Sequence, residues 1–220
     1  NTSSKNETRF WADAELNILK AAVLYVYYGF PPEARNFGQV YKLLTLNTEE
    51  ELCSLFNMLP NTHPAKYPYS IFRRAQESVR NDVVSGLGIR LQVFQNELIR
   101  QITGHNEIDL TLPGKEKCAY FCITSDQDST FDFLSSLFMS FVFIKLVRFA
   151  DEQEGSRLPV PVHILADEIA NGGCTIADLT KKISTIRSRR LSISCIFQNL
   201  PQMQNRYPDN QWQEIIGNCD

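Results

Sequence analysis

The sequence predicts an α/β fold in its second half, preceded by an all-helical first half. Two short apolar runs, Val162 to Leu165 and Ile193 to Phe197, each end in polar residues and are separated by a stretch with helical spacing. Runs of this length are typical of buried parallel strands. Strand, helix and strand in this order predict a βαβ unit with a right-handed crossover. The polar residues after both runs then lie at the edge where open α/β sheets place ligands.

The first half shows helical spacing throughout. Apolar residues recur at helical intervals from Phe10 to Tyr28. The pair Thr48 and Glu51 has the spacing of a capping box, which predicts the start of another helix. Tyr69 to Thr103 is predicted as one long helix or a helix broken once, at the glycines near its middle. Residues 1–107 are therefore predicted to form an all-α domain.

Residues 108–220 are predicted to form the second, α/β domain. Cys118 to Ile123 is a continuous apolar run and predicts a central strand. Phe131 to about Ala150 is apolar almost all round, which predicts a helix packed inside a layered fold. A membrane span is the alternative, but the uncharged part, Phe133 to Ile144, has 12 residues, fewer than the roughly 20 that a bilayer requires.

Composition narrows the classes of function. The net charge of −3 gives no global basic field, so contact with nucleic acid requires a local patch. The six cysteines lack zinc-ligand spacing, and we expect free, buried thiols in a reducing compartment. His63, His105 and His163 are far apart along the chain and are interpreted as structural. Both ends of the sequence read as if cut, so we expect an internal segment of a longer protein.

Asp167 and Glu168 directly follow the first of the two apolar runs. In nucleoside triphosphatases this is the Walker B position, where one carboxylate holds Mg²⁺ and the next orients and deprotonates the attacking water. The alternative is a strand that runs into an ordinary polar loop. The sequence therefore indicates a candidate nucleotide site at the carboxyl edge of the predicted sheet.

Three strings resemble the TraG-type coupling ATPases of conjugation and type IV secretion: Ile164 to Gly172, Arg187-Ser188-Arg189, and Phe197-Gln198-Asn199 with Gln202. The specific part of the resemblance runs from residue 162 to 204. It implies a RecA-like parallel sheet, here a partial P-loop NTPase fold, combined with an all-α domain. In that family the motor assembles as a hexameric ring.

The resemblance also implies roles for individual residues. Asp167 would be the carboxylate associated with Mg²⁺, and Glu168 the base that activates water. Gln198 would sense the γ-phosphate of ATP, and Arg187 would reach the nucleotide of a neighbouring subunit. The alternatives are a solvated loop acid for Glu168, a satisfied amide for Gln198 and a charged helix face for Arg187.

The family carries single-stranded DNA with its relaxase, or effector proteins, to the secretion channel at the cytoplasmic face of the inner membrane. The resemblance implies these partners, and implies that residues 1–107 recognise substrate. Two other hypotheses remain open: a different hexameric DNA translocase, and a recognition module that binds relaxase or effector without hydrolysing ATP itself.

The sequence departs from the family in two places. No phosphate loop of the form Gly-x4-Gly-Lys-Ser/Thr occurs in the 220 residues. Without that backbone cradle, we predict that this chain alone neither binds ATP tightly nor hydrolyses it. Arg190 stands where the family commonly has a small residue, so the turn from helix to strand is expected to differ.

A basic patch lies between Leu179 and Arg206, a stretch with no acidic residue. Such a cluster can neutralise the phosphates of a strand that threads a pore. The alternative is the solvated face of a helix with a subunit contact. The residues predicted to contact DNA are Lys181, Lys182, Arg189 and Arg190.

Overall fold

The computed structural model describes residues 2–124, 132–169 and 176–219, and the side chains among them from residue 10 onward. The chain divides into two compact units, Asn1–Glu107 and Ile108–Asp220. Each unit has its own cluster of buried apolar side chains.

The described part of the first unit is helical. Its core contains Ile18, Leu44 and Phe56, each at most 1% exposed. Several short helices can form there because each buries an apolar face against the long first helix. The helices are α1 (Thr2–Gly29), α2 (Phe37–Thr45), α3 (Glu49–Met58), α4 (Lys66–Phe72), α5 (Glu77–Arg90) and α6 (Glu97–Thr103).

The capping box predicted at the start of α3 is confirmed. The Thr48 side chain accepts a hydrogen bond from the Glu51 backbone N–H, and the Glu51 carboxylate accepts one from the Thr48 N–H. The single long helix predicted from Tyr69 to Thr103 is wrong, because that stretch contains the end of α4 and all of α5 and α6. The glycines do not break a helix. A Cβ at Gly88 would lie 3.3 Å from Thr45, so the glycine allows α2 and α5 to pack closely.

A buried ion pair lies between α3 and α5. Glu49 is 8% exposed, and its carboxylate accepts hydrogen bonds from Arg80 and from the Cys53 thiol. Arg80 also donates to the Ala75 carbonyl at 2.8 Å. Burial by itself raises the pKa of Glu49, but the hydrogen bonds from Arg80 and Cys53 outweigh burial and leave that pKa below its ordinary value.

The second unit combines helices with two strands. Its core includes Phe143, Leu146, Leu158 and Leu179, each at most 1% exposed. The elements are α7 (Leu112–Lys115), α8 (Asp132–Asp151), β1 (Val162–Ala166), α9 (Leu179–Ile186), β2 (Leu191–Cys195), α10 (Leu200–Arg206) and α11 (Gln211–Gly217). Over the described residues the protein is therefore mostly helical, with one small parallel sheet.

The central strand predicted at Cys118 to Ile123 is wrong. This segment forms no strand, and the described sheet contains β1 and β2 only. Phe121 is 87% exposed and Ile123 is 93% exposed, so the apolar run is not buried. The physical reason is that a strand needs a ladder of backbone hydrogen bonds to a neighbour, and apolar composition does not supply that neighbour. The described residues do not form the larger RecA-like sheet.

Helix α8 confirms the predicted helix, although it is buried on one face only. Phe143 and Leu146 pack into the core, whereas Phe141 and Ile144 are 42% and 39% exposed. Among the described residues, α8 is the one helix long and apolar enough to cross a membrane. The predicted cap of this helix at Asp128 or Ser129 lies outside the described residues, as does the predicted turn at residues 171–173.

The described cysteines are free thiols, as predicted. Their predicted burial is wrong. Cys118 and Cys122 lie in the exposed segment that forms no strand, Cys219 is also exposed, and Cys53 and Cys195 are only partly buried. Two histidines have local contacts consistent with structural roles. The Nδ1 atom of His63 accepts a hydrogen bond from the Ala65 N–H at 3.1 Å, and His105 lies 2.9 Å from Glu107.

Candidate functional site

The site is built on the carboxyl ends of two parallel strands. β1 and β2 pair in register from Val162 with Leu191 to Ala166 with Cys195. The backbone pairing continues past both strands, because the Ile196 N–H donates to the Ala166 carbonyl at 2.9 Å. The Ile169 N–H then donates to the Ile196 carbonyl at 3.2 Å. These bonds fix the two chain segments that leave the sheet side by side, so their polar side chains share one edge.

Glu168 and Gln198 meet at this edge. The Gln198 Nε2 donates to the Glu168 Oε1 at 2.6 Å, and both side chains are exposed to solvent. The Glu168 backbone has a φ of +49°, in the left-handed region that non-glycine residues enter rarely. Such a conformation costs roughly 1 to 2 kcal/mol and persists where the surrounding structure enforces it, which is common at functional sites. In this conformation the Glu168 carboxylate contacts Gln198, which lies three residues beyond the end of β2.

A second glutamine, Gln202, is hydrogen-bonded to the pair of Glu168 and Gln198. The sequence analysis did not assign it a role. The Gln202 Nε2 donates to the Gln198 Oε1 at 3.2 Å, which completes a chain of hydrogen bonds from Gln202 to Glu168. Gln202 lies on α10, whose first turn is capped by the Asn199 side chain accepting from the Gln202 N–H at 3.0 Å. Two features of the sequence could have indicated this arrangement. Asn199 and Pro201 are residues typical of a helix start, and Gln198 and Gln202 are four residues apart.

Asp167 occupies the predicted position directly after β1, and its side chain is exposed. No cluster of three or more His, Cys, Asp or Glu side chains suited to a metal occurs among the described residues. This is compatible with Mg²⁺, which is usually held by one or two carboxylates together with water and substrate phosphates. Carboxylates are ligands suited to that ion, and the Glu168 carboxylate lies beside the Gln198 amide. No hydrogen bond joins the Asp167 side chain to that pair within the described residues.

Arg187 lies at the other end of β2. It immediately follows α9 and precedes the first residue of β2 by four positions. The five residues of β2 extend about 16 Å at 3.3 Å per residue, so Arg187 is separated from Gln198 by the length of the strand. The side chain is exposed, and no ion pair involves it within the described residues. The structure does not bring Arg187 together with Glu168 of the same chain.

Three of the four residues predicted to contact DNA already have local partners. Lys182 donates to the Ala177 carbonyl, and burial lowers its pKa. Arg189 donates to Asp151 at 2.8 Å. Arg190 donates to the carbonyls of Leu158 and Pro159, and its φ of +61° lies in the left-handed region that glycine enters most readily. Lys181 is exposed.

His163 lies near the amino end of β1, away from this edge, and both of its ring nitrogens are hydrogen-bonded. Its Nδ1 is 2.8 Å from the Ser192 hydroxyl, and its Nε2 is 3.1 Å from the Ser194 hydroxyl. Both serines are on β2, and Ser192 is the cross-strand partner of His163. The contacts connect the two strands, which agrees with the structural interpretation of this histidine.

Two parallel strands joined through a helix are typical of an α/β protein. Here the carboxyl ends of both strands present acidic and amide side chains at one edge of the sheet. Residues 161–220 match the family model described as the TraM recognition site of TraD and TraG. The matched segment contains residues 162–204, where the resemblance to TraG-type coupling proteins is most specific, and the match supports that resemblance. No curated protein and no solved structure matches the chain.

Proposed function

We propose that this chain is part of a conjugation coupling ATPase, and that Asp167, Glu168 and Gln198 contribute to its nucleotide site. The observation that carries the proposal is the contact between Glu168 and Gln198, at the carboxyl edge of β1 and β2, within the segment that matches TraD and TraG. ATP and Mg²⁺ are the proposed ligands. Together they would supply the phosphoanhydride bond and the charge neutralisation that its cleavage requires.

Each side chain has a distinct proposed task. Asp167 holds Mg²⁺, directly or through water, because it follows the strand and is open to solvent. Glu168 takes a proton from the attacking water at its carboxylate. Gln198, which donates its amide to Glu168, would contact the γ-phosphate through that amide. The 220 residues lack the sequence pattern of the phosphate loop, so the phosphate cradle is proposed to come from another segment.

Arg187 is proposed to act on a neighbouring subunit in a hexameric ring. Its position at the opposite end of β2 from Gln198 favours action on another chain, and its exposure allows it to reach one. The partners proposed for the motor are single-stranded DNA, relaxase or effector proteins, and components of the secretion channel. The proposed location is the cytoplasmic face of the bacterial inner membrane.

A second candidate function is recognition. The family description names TraM as the protein recognised by TraD and TraG, and the matching segment includes α10 and α11 in full. We propose that this segment binds a TraM-type partner. Binding of this kind would be independent of nucleotide and unchanged when Asp167 or Glu168 is substituted, which separates recognition from the motor role.

Hydrolysis by the whole protein that carries this sequence tests the motor proposal. Purified with its phosphate loop, it is expected to hydrolyse MgATP, and Glu168→Gln is expected to lower the turnover number by about 10³-fold, within the range for loss of a general base. The isolated 220-residue chain is expected to hydrolyse ATP no faster than its own Glu168→Gln variant. Equal turnover by the whole protein and its Glu168→Gln variant would contradict the motor proposal.

A further inference from the structure

The first unit contains an open groove of about 540 Å³, walled by α1 and α4 with Phe37 of α2 at one side. Its apolar lining includes Leu16, Tyr67 and Ile71, which are 47%, 76% and 53% exposed. A groove of this volume is in the range of protein binding sites. Large apolar side chains left exposed together mark a surface that binds another molecule.

The charged residue of the groove lining is a cation, Lys20, and no carboxylate lies within ion-pair distance of it among the described side chains. The wall segments 16–29 and 66–74 contain no aspartate or glutamate. Two carboxylates come just before the first segment: Glu15 is paired with Arg90, and Asp13 is exposed one helical turn before Leu16. The cations of the two segments are Lys20, Lys66, Arg73 and Arg74.

These cations are arranged unequally about the groove. Lys66 and Arg73 donate to Asn57, on the side of α3. Arg74 is exposed and lies two residues beyond the end of α4, outside the groove lining. Lys20, which lines the groove, is therefore the cation directly available to a molecule seated on it, and Arg74 is the exposed cation that follows the second wall segment.

We propose that this groove binds an amphipathic helix of a partner protein, with apolar residues on one face and carboxylates beside them. Apolar side chains spaced i, i+4 and i+7 on such a helix would fill the groove between Leu16, Tyr67 and Ile71. Its carboxylates would pair with Lys20 and Arg74 across the rim. The openness of the groove favours a helix over a small molecule, because small-molecule sites bury most of their ligand. This inference concerns the first unit and does not depend on the nucleotide site.

Fluorescence anisotropy with synthetic peptides tests the proposal. The probe is a labelled helical peptide of about 16 residues, long enough for a marginal helix, with leucine or phenylalanine at i, i+4 and i+7 and glutamate at the flanking positions. The control peptide has lysine in place of each glutamate. The whole chain is expected to bind the glutamate peptide at least tenfold more tightly than the lysine peptide.

Matched variants locate the binding. Ile71 and Ile102 are both exposed isoleucines of the first unit, at 53% and 59%, and only Ile71 lines the groove. Ile71→Ser is expected to weaken binding at least tenfold, and Ile102→Ser to leave it unchanged. Lys20→Glu is expected to reverse the preference in favour of the lysine peptide. Lys42→Glu, the same charge change on α2 outside the lining, is expected not to do so.

Four outcomes would overturn the proposal. The first is that Ile71→Ser and Ile102→Ser weaken peptide binding equally, and the second is that the chain binds both peptides equally well. The third is that the chain self-associates and Ile71→Ser abolishes the self-association. The fourth is that the chain binds anionic lipid vesicles in competition with the peptide. The last two would assign the groove to a second copy of this chain or to a membrane surface. Circular dichroism of each variant separates loss of binding from loss of folding.

Discussion

Glu168→Gln is expected to lower DNA transfer by about 10³-fold or more in cells that depend on this protein. The substitution keeps the size of the side chain and removes its ability to take a proton, and a general base contributes about 10² to 10⁴ in rate. Glutamine still accepts a hydrogen bond at the position that the Glu168 Oε1 holds opposite Gln198. Folding is therefore preserved while the chemical step is lost. Transfer frequency in a mating assay measures the effect.

The matched control is Glu214→Gln. Glu214 is an exposed glutamate of α11 in the same family segment, and no ion pair or side-chain hydrogen bond of its carboxylate occurs among the described residues. Transfer by this variant is expected to equal that of the wild type. Transfer at the wild-type level in the Glu168→Gln strain would show that the edge of the sheet has no catalytic role. The recognition function would then be the better account.

Arg80→Met is expected to lower the free energy of unfolding of the first unit by about 3 kcal/mol. Methionine cannot neutralise the charge of the Glu49 carboxylate, whose side chain is 7% exposed. A buried charge left without its partner costs about 3 to 5 kcal/mol. Urea unfolding gives the value. In a Trp212→Phe background the fluorescence reports Trp11, which lies in the first unit.

Arg90→Met is the control for this substitution. Arg90 pairs with Glu15 in the same unit, where the Arg90 side chain is 68% exposed and the Glu15 side chain 17% exposed. Because the cation is largely solvated, removing it is expected to cost less than removing Arg80, about 1 kcal/mol. The double variant Glu49→Leu with Arg80→Met is expected to recover most of the loss, because apolar replacement of a buried pair leaves no unpaired charge. Equal losses for Arg80→Met and Arg90→Met would refute the burial argument.

The same pair makes stability depend on pH. The pKa of Glu49 is below its ordinary value of 4.5 in the folded state, so the contribution of the pair is fully present above the unfolded-state pKa. That contribution is lost as the pH falls below 4.5 and through the folded-state pKa. The wild type is therefore expected to lose stability more steeply in this range than Glu49→Gln does.

Local rules predicted the first unit well where a local interaction decides the structure. The capping box at Thr48 is an example, since both of its hydrogen bonds are made within one turn. The glycines at residues 86 and 88 were misinterpreted because their role is tertiary: Gly88 allows α5 to approach Thr45 of α2. Low helix propensity in sequence cannot distinguish a break from a close packing contact.

The second unit shows the same division between local and long-range effects. Two apolar runs ending in polar residues were sufficient to predict β1, β2 and the shared edge, because parallel pairing brings carboxyl ends together. The run at 118–123 has similar composition and pairs with neither strand. Strand formation depends on a neighbour that composition does not reveal. The role of Gln202 was missed because it depends on where α10 starts relative to Gln198.

The position of Gln198 relative to Glu168 is the geometric basis of the proposed site. Nitrogen-15 NMR of the chain observes the side-chain amide of Gln198, whose Nε2 lies 2.6 Å from the Glu168 Oε1. The amide signals of Gln198 are expected to shift when Glu168 is changed to Gln, and to stay in place when Glu214 is changed to Gln. Unshifted Gln198 signals in the Glu168→Gln variant would contradict the site described here.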